Sequence, residues 1–255
     1  MKDWALILGA SSGIGKATAM RLAKNGINIY GLFLRSKKDD IEQLTSNLKK
    51  YGVDVIYKKA NASNEDSRKE IINELINIKN IRVKMFVHSI AFGALKKMIG
   101  APQTALNKKN IDMTLDVMCN NLIYWTQDLY QYKLLSKGSH IISMTSAGGN
   151  KNWQNYGAVS LAKAGIESIT RQLSIELAPY GISANAIQAG VTETKALQKI
   201  PGYITMIEKS KSSNPHKRLT TTDDVAEFIE ILLKYESSWM TGNVIRVDGG
   251  EDITN

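Results

Sequence analysis

One cysteine, Cys119, stands in 255 residues. No disulfide can close within the chain, which suits a reducing compartment and makes a cytoplasmic protein the expectation. Long apolar runs are missing too. The opening MKDWALILGASSG carries an apolar stretch too short for a signal peptide or a membrane span, and Asp3 stands where a signal peptide would want basic residues. No membrane insertion is expected. The net charge is +9, but no run of six like charges occurs and no aromatic-basic module accompanies the lysines, so nucleic acid is not an expected partner. What remains for a basic surface is an acidic protein, a phosphorylated ligand or solvent. No linker, internal repeat or low-complexity segment divides the chain, and no metal site is expected. With 43% hydrophobic and 22% charged residues, the composition is that of one globular α/β domain over residues 1–255.

What the chain does have is a regular alternation of strand and helix patterns. WALILGA at 4–10 is an apolar run ending in glycine, as for a strand buried on both faces. INIYGLFL (27–34), VDVIYKKA (53–60), VKMFVHSIAFG (83–93), HIISMTS (140–146), ISANAIQAG (182–190) and GNVIRVD (242–248) read as further strands. Helical patterns lie between them at 39–51, 64–80, 110–135, about 155–178 and 223–235, the last opening on Asp223 and Asp224 as a capping signal. Lysine-rich 94–109 reads as a surface excursion. Val191 to Thr222, with Pro201, Gly202 and Pro215, is the longest irregular span and reads as a substrate lid. This order predicts an α/β fold: a Rossmann-type, doubly wound parallel sheet of about seven strands with helices on both faces.

The first strand runs into Gly9-Ala10-Ser11-Ser12-Gly13-Ile14-Gly15 and then a helix pattern. Glycines there permit a tight turn and let backbone N–H groups approach a pyrophosphate at the helix N-terminus. The spacing is G-x-x-x-G-x-G rather than the common dinucleotide fingerprint, and a purely structural loop is the alternative. The second strand ends on Arg35-Ser36-Lys37-Lys38, where an NAD site usually offers a carboxylate to the ribose hydroxyls. Cations there can pair with a 2′-phosphate, so NADPH is expected over NADH; solvated loop charges are the alternative. Asn61 and Ala62, at the end of the third strand, would face an adenine. His88, one of three histidines, is read as a satisfied structural side chain.

Ser146 to Lys163, SAGGNKNWQNYGAVSLAK, puts a serine, a tyrosine and a lysine after one buried strand. Tyr156 and Lys163 are seven apart, two helical turns, and so share a face. A phenol beside an ammonium is a proton donor whose pKa the charge should lower. Val159, four before the lysine, cannot ionise. The competing reading is a solvated surface pair.

Several motifs then agree. GASSGIG at 9–15, Asn61-Ala62, Ser146, Lys163-Ala164 and VDGG at 247–250 together resemble the short-chain dehydrogenase/reductase family over essentially the full length. Ordinary members carry the catalytic tyrosine four before the lysine, where Val159 stands. A tyrosine seven before, with HSIAFG at 88–93, resembles the branch of enoyl-acyl-carrier-protein reductases. That branch's best-known members have a further tyrosine ten before Tyr156, where this chain has Ser146; the serine is a feature of its NADPH-using Bacillus-type members. Met118 aligns with the relay asparagine of ordinary members, and Asn120 and Asn121 are expected to rotate away from it.

The resemblance implies a set of roles. Tyr156, Lys163 and Ser146 would be catalytic. Gly9, Ser11, Ser12, Gly13, Ile14, Gly15, Arg35, Ser36, Lys37, Asn61, Ala62, Ser89, Ile90, Ala91, Lys163, Ala189, Gly190, Thr192 and Thr194 would hold NADPH. The substrate would be an enoyl thioester on acyl carrier protein or coenzyme A, with Lys195, Lys199, Lys209, Lys211, Lys217 and Arg218 facing the acidic carrier. A homotetramer would be built on the helices at 110–135 and 155–178, with Trp125 an interface anchor or simply core. A ketoreductase places its acid at the carbon that receives hydride; conjugate reduction places charge on an oxygen two carbons further. Moving the acid back three residues along a helix displaces it by about 4.5 Å, which suits the enoyl reading. The alternatives are a reductase of a ketone, quinone or specialised enone, and a non-catalytic NADP-binding sensor or scaffold.

Overall fold

Seven parallel strands lie in the order β3-β2-β1-β4-β5-β6-β7 in the computed structural model, which describes residues 1–254. The strands are β1 (Lys2–Leu8), β2 (Asn28–Phe33), β3 (Val55–Lys59), β4 (Ile81–His88), β5 (His140–Ser146), β6 (Ser183–Ala189) and β7 (Val244–Val247). The helices are α1 (Gly13–Lys24), α2 (Lys38–Lys49), α3 (Glu65–Ile76), α4 (Lys108–Leu115), α5 (Asn121–Gln131), α6 (Gly157–Leu177), α7 (Tyr203–Ser213) and α8 (Thr222–Lys234).

The period-2 geometry of a strand explains why the runs are continuously apolar. In β1, Trp4, Leu6 and Leu8 enter one core with Leu122, Trp125 and Ile166 from α5 and α6. Ala5 and Ile7 enter the other with Leu22 of α1, Leu48 of α2 and Ile229 of α8. All five are at most 2% exposed, so both faces of the strand are covered and no polar alternation is possible. A fully buried leucine such as Leu6 contributes about 2 kcal/mol of transfer free energy.

Three elements differ from the sequence reading. The long helix expected at 110–135 is α4 and α5 joined by a π-helical turn, Asp116–Asn120. The span 191–222 is not irregular throughout: it holds the eleven-residue helix α7 and a parallel bridge between Thr192 and Thr220. Helix α8 is capped by Thr221, whose hydroxyl accepts from the Asp224 N–H while Asp224 accepts from the Thr221 N–H, a capping box; Asp223 instead meets Arg21 of α1 at 2.7 Å.

Strand order reverses between β1 and β4. There the Ser89 N–H donates to the Leu8 carbonyl at 3.0 Å. A crevice at the carboxyl ends of these two strands is where ligands collect in an open α/β sheet.

Candidate active site

Gly9 closes the bottom of that crevice. Its φ is +85°, and a Cβ there would stand 2.4 Å from the Ser89 carbonyl oxygen; a Cβ on Gly15 would stand 2.3 Å from the Gly9 carbonyl oxygen. Backbones pack at distances no side chain permits. The N-cap of α1, Ser12, makes no side-chain cap bond, and its first turn carries no acid. In contrast α3, α4 and α8 are capped by Asn64, Asn107 and Thr221. The N-terminal donors of α1, like those of α2, α5, α6 and α7, take no side-chain cap; a pyrophosphate would suit their geometry and charge.

Ser11 and Ser36 are joined by a 2.7 Å hydrogen bond, which brings the first turn and the end of β2 together. Arg35 has no acidic partner among the described residues; its guanidinium lies 3.9 Å from the centroid of the Phe92 ring, which also takes the Lys199 ammonium at 6.0 Å. Ser89, Ile90 and Ala91 follow β4 directly, at the reversal point. Ala189 ends β6, and Thr192 bonds the Gly190 carbonyl at 2.9 Å. Thr194 reaches the glycine turn, its Cγ2 lying 3.6 Å from where a Cβ on Gly13 would be. Asn61 and Ala62 lie just past the end of β3. Asn61 turns its oxygen to the Ser63 hydroxyl at 2.9 Å, and the Ala62 carbonyl accepts from the Trp125 indole at 2.9 Å. That bond, and its zero exposure, make Trp125 a core residue.

The carboxyl end of β5 organises the reactive groups. The Lys163 Nζ donates to the Met144 carbonyl at 2.6 Å. The Thr145 hydroxyl donates to Glu167 Oε1 at 2.7 Å. Next comes Ser146, close enough to the Tyr156 phenol to pull its pKa down, though its buried oxygen makes no hydrogen bond of ordinary geometry. The phenol also leans on Gly148, where a Cβ would stand 2.5 Å from Tyr156 Cε1. Met144 and Thr145 therefore each bond a side chain of α6, and Ser146 lies beside the phenol.

The electrostatics correct one expectation. Burial raises the Tyr156 pKa, with only the Ser146 contact opposing, and Lys163 is not among its causes. Tyr156 is the N-cap of α6, with φ −99° and ψ 1°, not a residue of its first turn. Its ring packs on a small apolar cluster of Met118, Cys119, Val159 and Ala162. The phenol thus lies beside Ser146 of β5, while the lysine is drawn to the Met144 carbonyl. Burial lowers Lys163 to about 8, opposed first by the charge of Glu167.

Val159 is 5% exposed, and a Cβ on Gly93 would lie 2.7 Å from its Cγ2 and 2.6 Å from Thr114 Cγ2. The position of the ordinary family tyrosine is therefore closed by the loop after β4 and by α4. The π turn also changes a neighbour. Asn121, expected to rotate away, is fully buried, and its Oδ1 accepts from His88 Nε2 at 2.5 Å. Burial pushes His88 down to about 4, and the Lys163 charge adds to this against the Asn121 bond. Cys119, in the same turn, is pushed up to about 11 by burial.

The span after β6 is fixed at its ends. The Val191 N–H donates to Glu251 at 3.1 Å, Asn214 donates to the Asp248 carbonyl at 2.8 Å, and the Trp153 indole donates to the Pro201 carbonyl at 3.1 Å. Of its cations, Arg218 is paired with Asp224, and Lys217 donates to the Ser212 carbonyl. Sequence reasoning passed over Thr145 and Glu167; the available signal was the four-residue spacing from Lys163, which puts two side chains on one helix face. It also passed over the stacking of Arg35 on Phe92, which no local pattern announces.

Residues 9–251 match the family model described as Enoyl-(Acyl carrier protein) reductase. The chain is a member of the short-chain dehydrogenase/reductase family, related to its enoyl reductases. It is 27% identical over 248 residues to a 3-oxoacyl-[acyl-carrier-protein] reductase of Thermotoga maritima, covering 96% of each chain. It is 28% identical over 206 residues to an NADH enoyl-[acyl-carrier-protein] reductase of Buchnera aphidicola, covering 81% of this chain and 78% of that one. Among solved structures, the enoyl-[acyl-carrier-protein] reductase (NADH) of Aquifex aeolicus superposes with a TM-score of 0.84 at 25% identity, over 99% of this chain and 96% of the other. The family makes this chain an oxidoreductase that uses a nicotinamide cofactor.

Proposed function

We propose that the chain reduces the C2–C3 double bond of an enoyl thioester, carried by acyl carrier protein or coenzyme A, with NADPH. The supporting observation is the sealed position 159: with Val159 buried against Gly93 and Thr114, Tyr156 is the phenol left at the end of β5. The cofactor, when bound, supplies the hydride and lends its ribose to the site. Lys163, held on the Met144 carbonyl, keeps further N–H donors for the ribose hydroxyls. Tyr156 donates to the thioester carbonyl and stabilises the enolate oxygen as charge develops there. Its raised pKa keeps the phenol protonated, as a donor must be. Ser146 orients the phenol. Arg35, Ser36 and Lys37 receive the 2′-phosphate; Arg35 exchanges its stacking on Phe92 for charge-assisted bonds. Lys195, Lys209 and Lys211 on the lid face the acidic carrier, and a homotetramer forms across α5 and α6.

A second reading, reduction of a ketone, is favoured by Ser146 beside the phenol and by the 3-oxoacyl relative, which aligns over more of the chain than the enoyl one. Crotonyl and acetoacetyl thioesters, each offered with NADPH and with NADH and followed by nucleotide absorbance, separate the two. The enoyl reading requires turnover of crotonyl thioester with NADPH to exceed that of acetoacetyl thioester; the reverse order refutes it.

A further inference from the structure

We propose that Glu167 is a positioning residue that holds the charge of Lys163 in place at the foot of the Tyr156 site. This rests on the reading of Lys163 as part of the reducing site, but not on which double bond is reduced. Lys163 is 5% exposed, and its one hydrogen bond goes to the Met144 carbonyl. A carbonyl offers a dipole, whereas an ammonium removed from water needs opposite charge. Beside the phenol of Tyr156, which burial keeps protonated, three titratable groups interact with the amine. His88 of β4 is pushed down to about 4 and Cys119 of the π turn up to about 11, so both are neutral near pH 7. The third is Glu167, four residues on along α6, whose charge is the largest influence raising the Lys163 pKa.

The carboxylate is itself fixed. Oε1 accepts from the Thr145 hydroxyl at 2.7 Å, with Thr145 3% exposed. A Cβ on Gly149 would stand 2.7 Å from the same oxygen, so the carboxylate lies against that glycine. Because Met144 and Thr145 are adjacent in β5, the strand that seats the ammonium also seats its counter-charge. A neutral lysine would offer one donor fewer to a ligand.

The test is Glu167→Gln, which keeps an oxygen for Thr145 and removes the charge. In uniformly 15N,13C-lysine-labelled protein without nucleotide, the Lys163 signal is assigned by its loss in Lys163→Arg and titrated. The wild-type midpoint is expected at about 8. In Glu167→Gln the ratio of protonated to neutral Lys163 at that pH should fall about tenfold. The alkaline loss of kcat/KM should move to lower pH with it, and Glu167→Asp should restore the wild-type profile. Glu167→Met, apolar and of similar length, is the second variant. An unchanged Lys163 midpoint in whichever of the two folds, as judged by circular dichroism, overturns the proposal. A shifted midpoint with no turnover of either thioester leaves it standing and removes the functional reading instead.

Discussion

Lowering the pH from 7 to 5 should cost this protein about 4 kcal/mol of folding stability through two buried histidines. His88 and His140 are both at most 1% exposed and both are pushed down to about 4, by burial first. The Lys84 charge adds to this at His140. The geometry explains why neither accepts a proton. His140 Nε2 faces the Tyr235 carbonyl at 2.8 Å, which can only accept, so that nitrogen carries the hydrogen; Nδ1 is left to accept from the Ser183 hydroxyl at 2.7 Å. His88 Nε2 likewise donates to Asn121, and its Nδ1 has no hydrogen-bond partner to receive a new N–H. In the unfolded chain both rings titrate near 6.5. The unfolded state therefore binds more protons between the two pKa values. This stability is fully present above 6.5 and is lost as pH falls toward 4. Linkage gives about 2 kcal/mol for each ring between pH 7 and 5, a large share of a typical total of about 5–15 kcal/mol. Carboxylates held low by partners, such as Asp224 beside Arg218, take up their protons from the unfolded side near 4, below this window, while Glu251 and Asp116, raised by burial, act in the opposite sense to the histidines. Urea unfolding at pH 7, 6 and 5, with the imidazole C–H resonances followed in the folded protein, is the assay. A flat unfolding free energy across the window, or folded-state histidine midpoints near 6.5, refutes the reasoning.

Tyr156→Phe should lower turnover by about 10²–10⁴-fold and leave nucleotide binding intact, checked by steady-state rates and fluorescence titration with NADPH; normal turnover removes the phenol from the mechanism. Arg35→Ala should weaken NADPH about 10–100-fold, the worth of a charge-assisted bond, with little effect on NADH; equal losses for both nucleotides would show that no phosphate is read there. Gly9→Ala combines a φ of +85° with a 2.4 Å approach to the Ser89 carbonyl. It should cost about 2–5 kcal/mol and abolish nucleotide binding, and a variant with unchanged melting temperature would contradict the packing argument.

The sheet was legible because burial on both faces leaves a mark in its central strands: Trp4 to Leu8 and Ile141 to Thr145 are buried without a break. The glycine turn was legible because only glycine tolerates φ +85° against a neighbouring carbonyl. Other features depend on partners far away in sequence. DVMCN at 116–120 has nothing to set it apart from the helix on either side, so the π turn and the inward aim of Asn121 could not be foreseen. YITMIEKSKSS, bounded by Gly202 and Pro215, forms α7 with one buried residue, Ser210; a helix so little buried lacks the apolar stripe that reveals helices. The sign of the Tyr156 shift was misjudged because spacing counted the charge at Lys163 and could not count the apolar cluster of Met118, Val159 and Ala162.

That misjudgement bears on the chemistry. Seven residues are two turns only if both side chains belong to the helix, and Tyr156 stands just outside it. Tyrosine and lysine are coupled through β5 instead: Ser146 meets the phenol, Met144 takes the ammonium, and Thr145 between them takes Glu167. Carried by the N-cap of α6, three residues before Val159, the phenol leaves the chain earlier than the tyrosine of ordinary family members. Conjugate reduction needs such a displacement, because the oxygen that gains charge lies two carbons from the one that gains hydride. That earlier departure is what the enoyl reading calls for, and with Lys163 absent from the influences on Tyr156, the proposed control of the lysine's charge falls to Glu167.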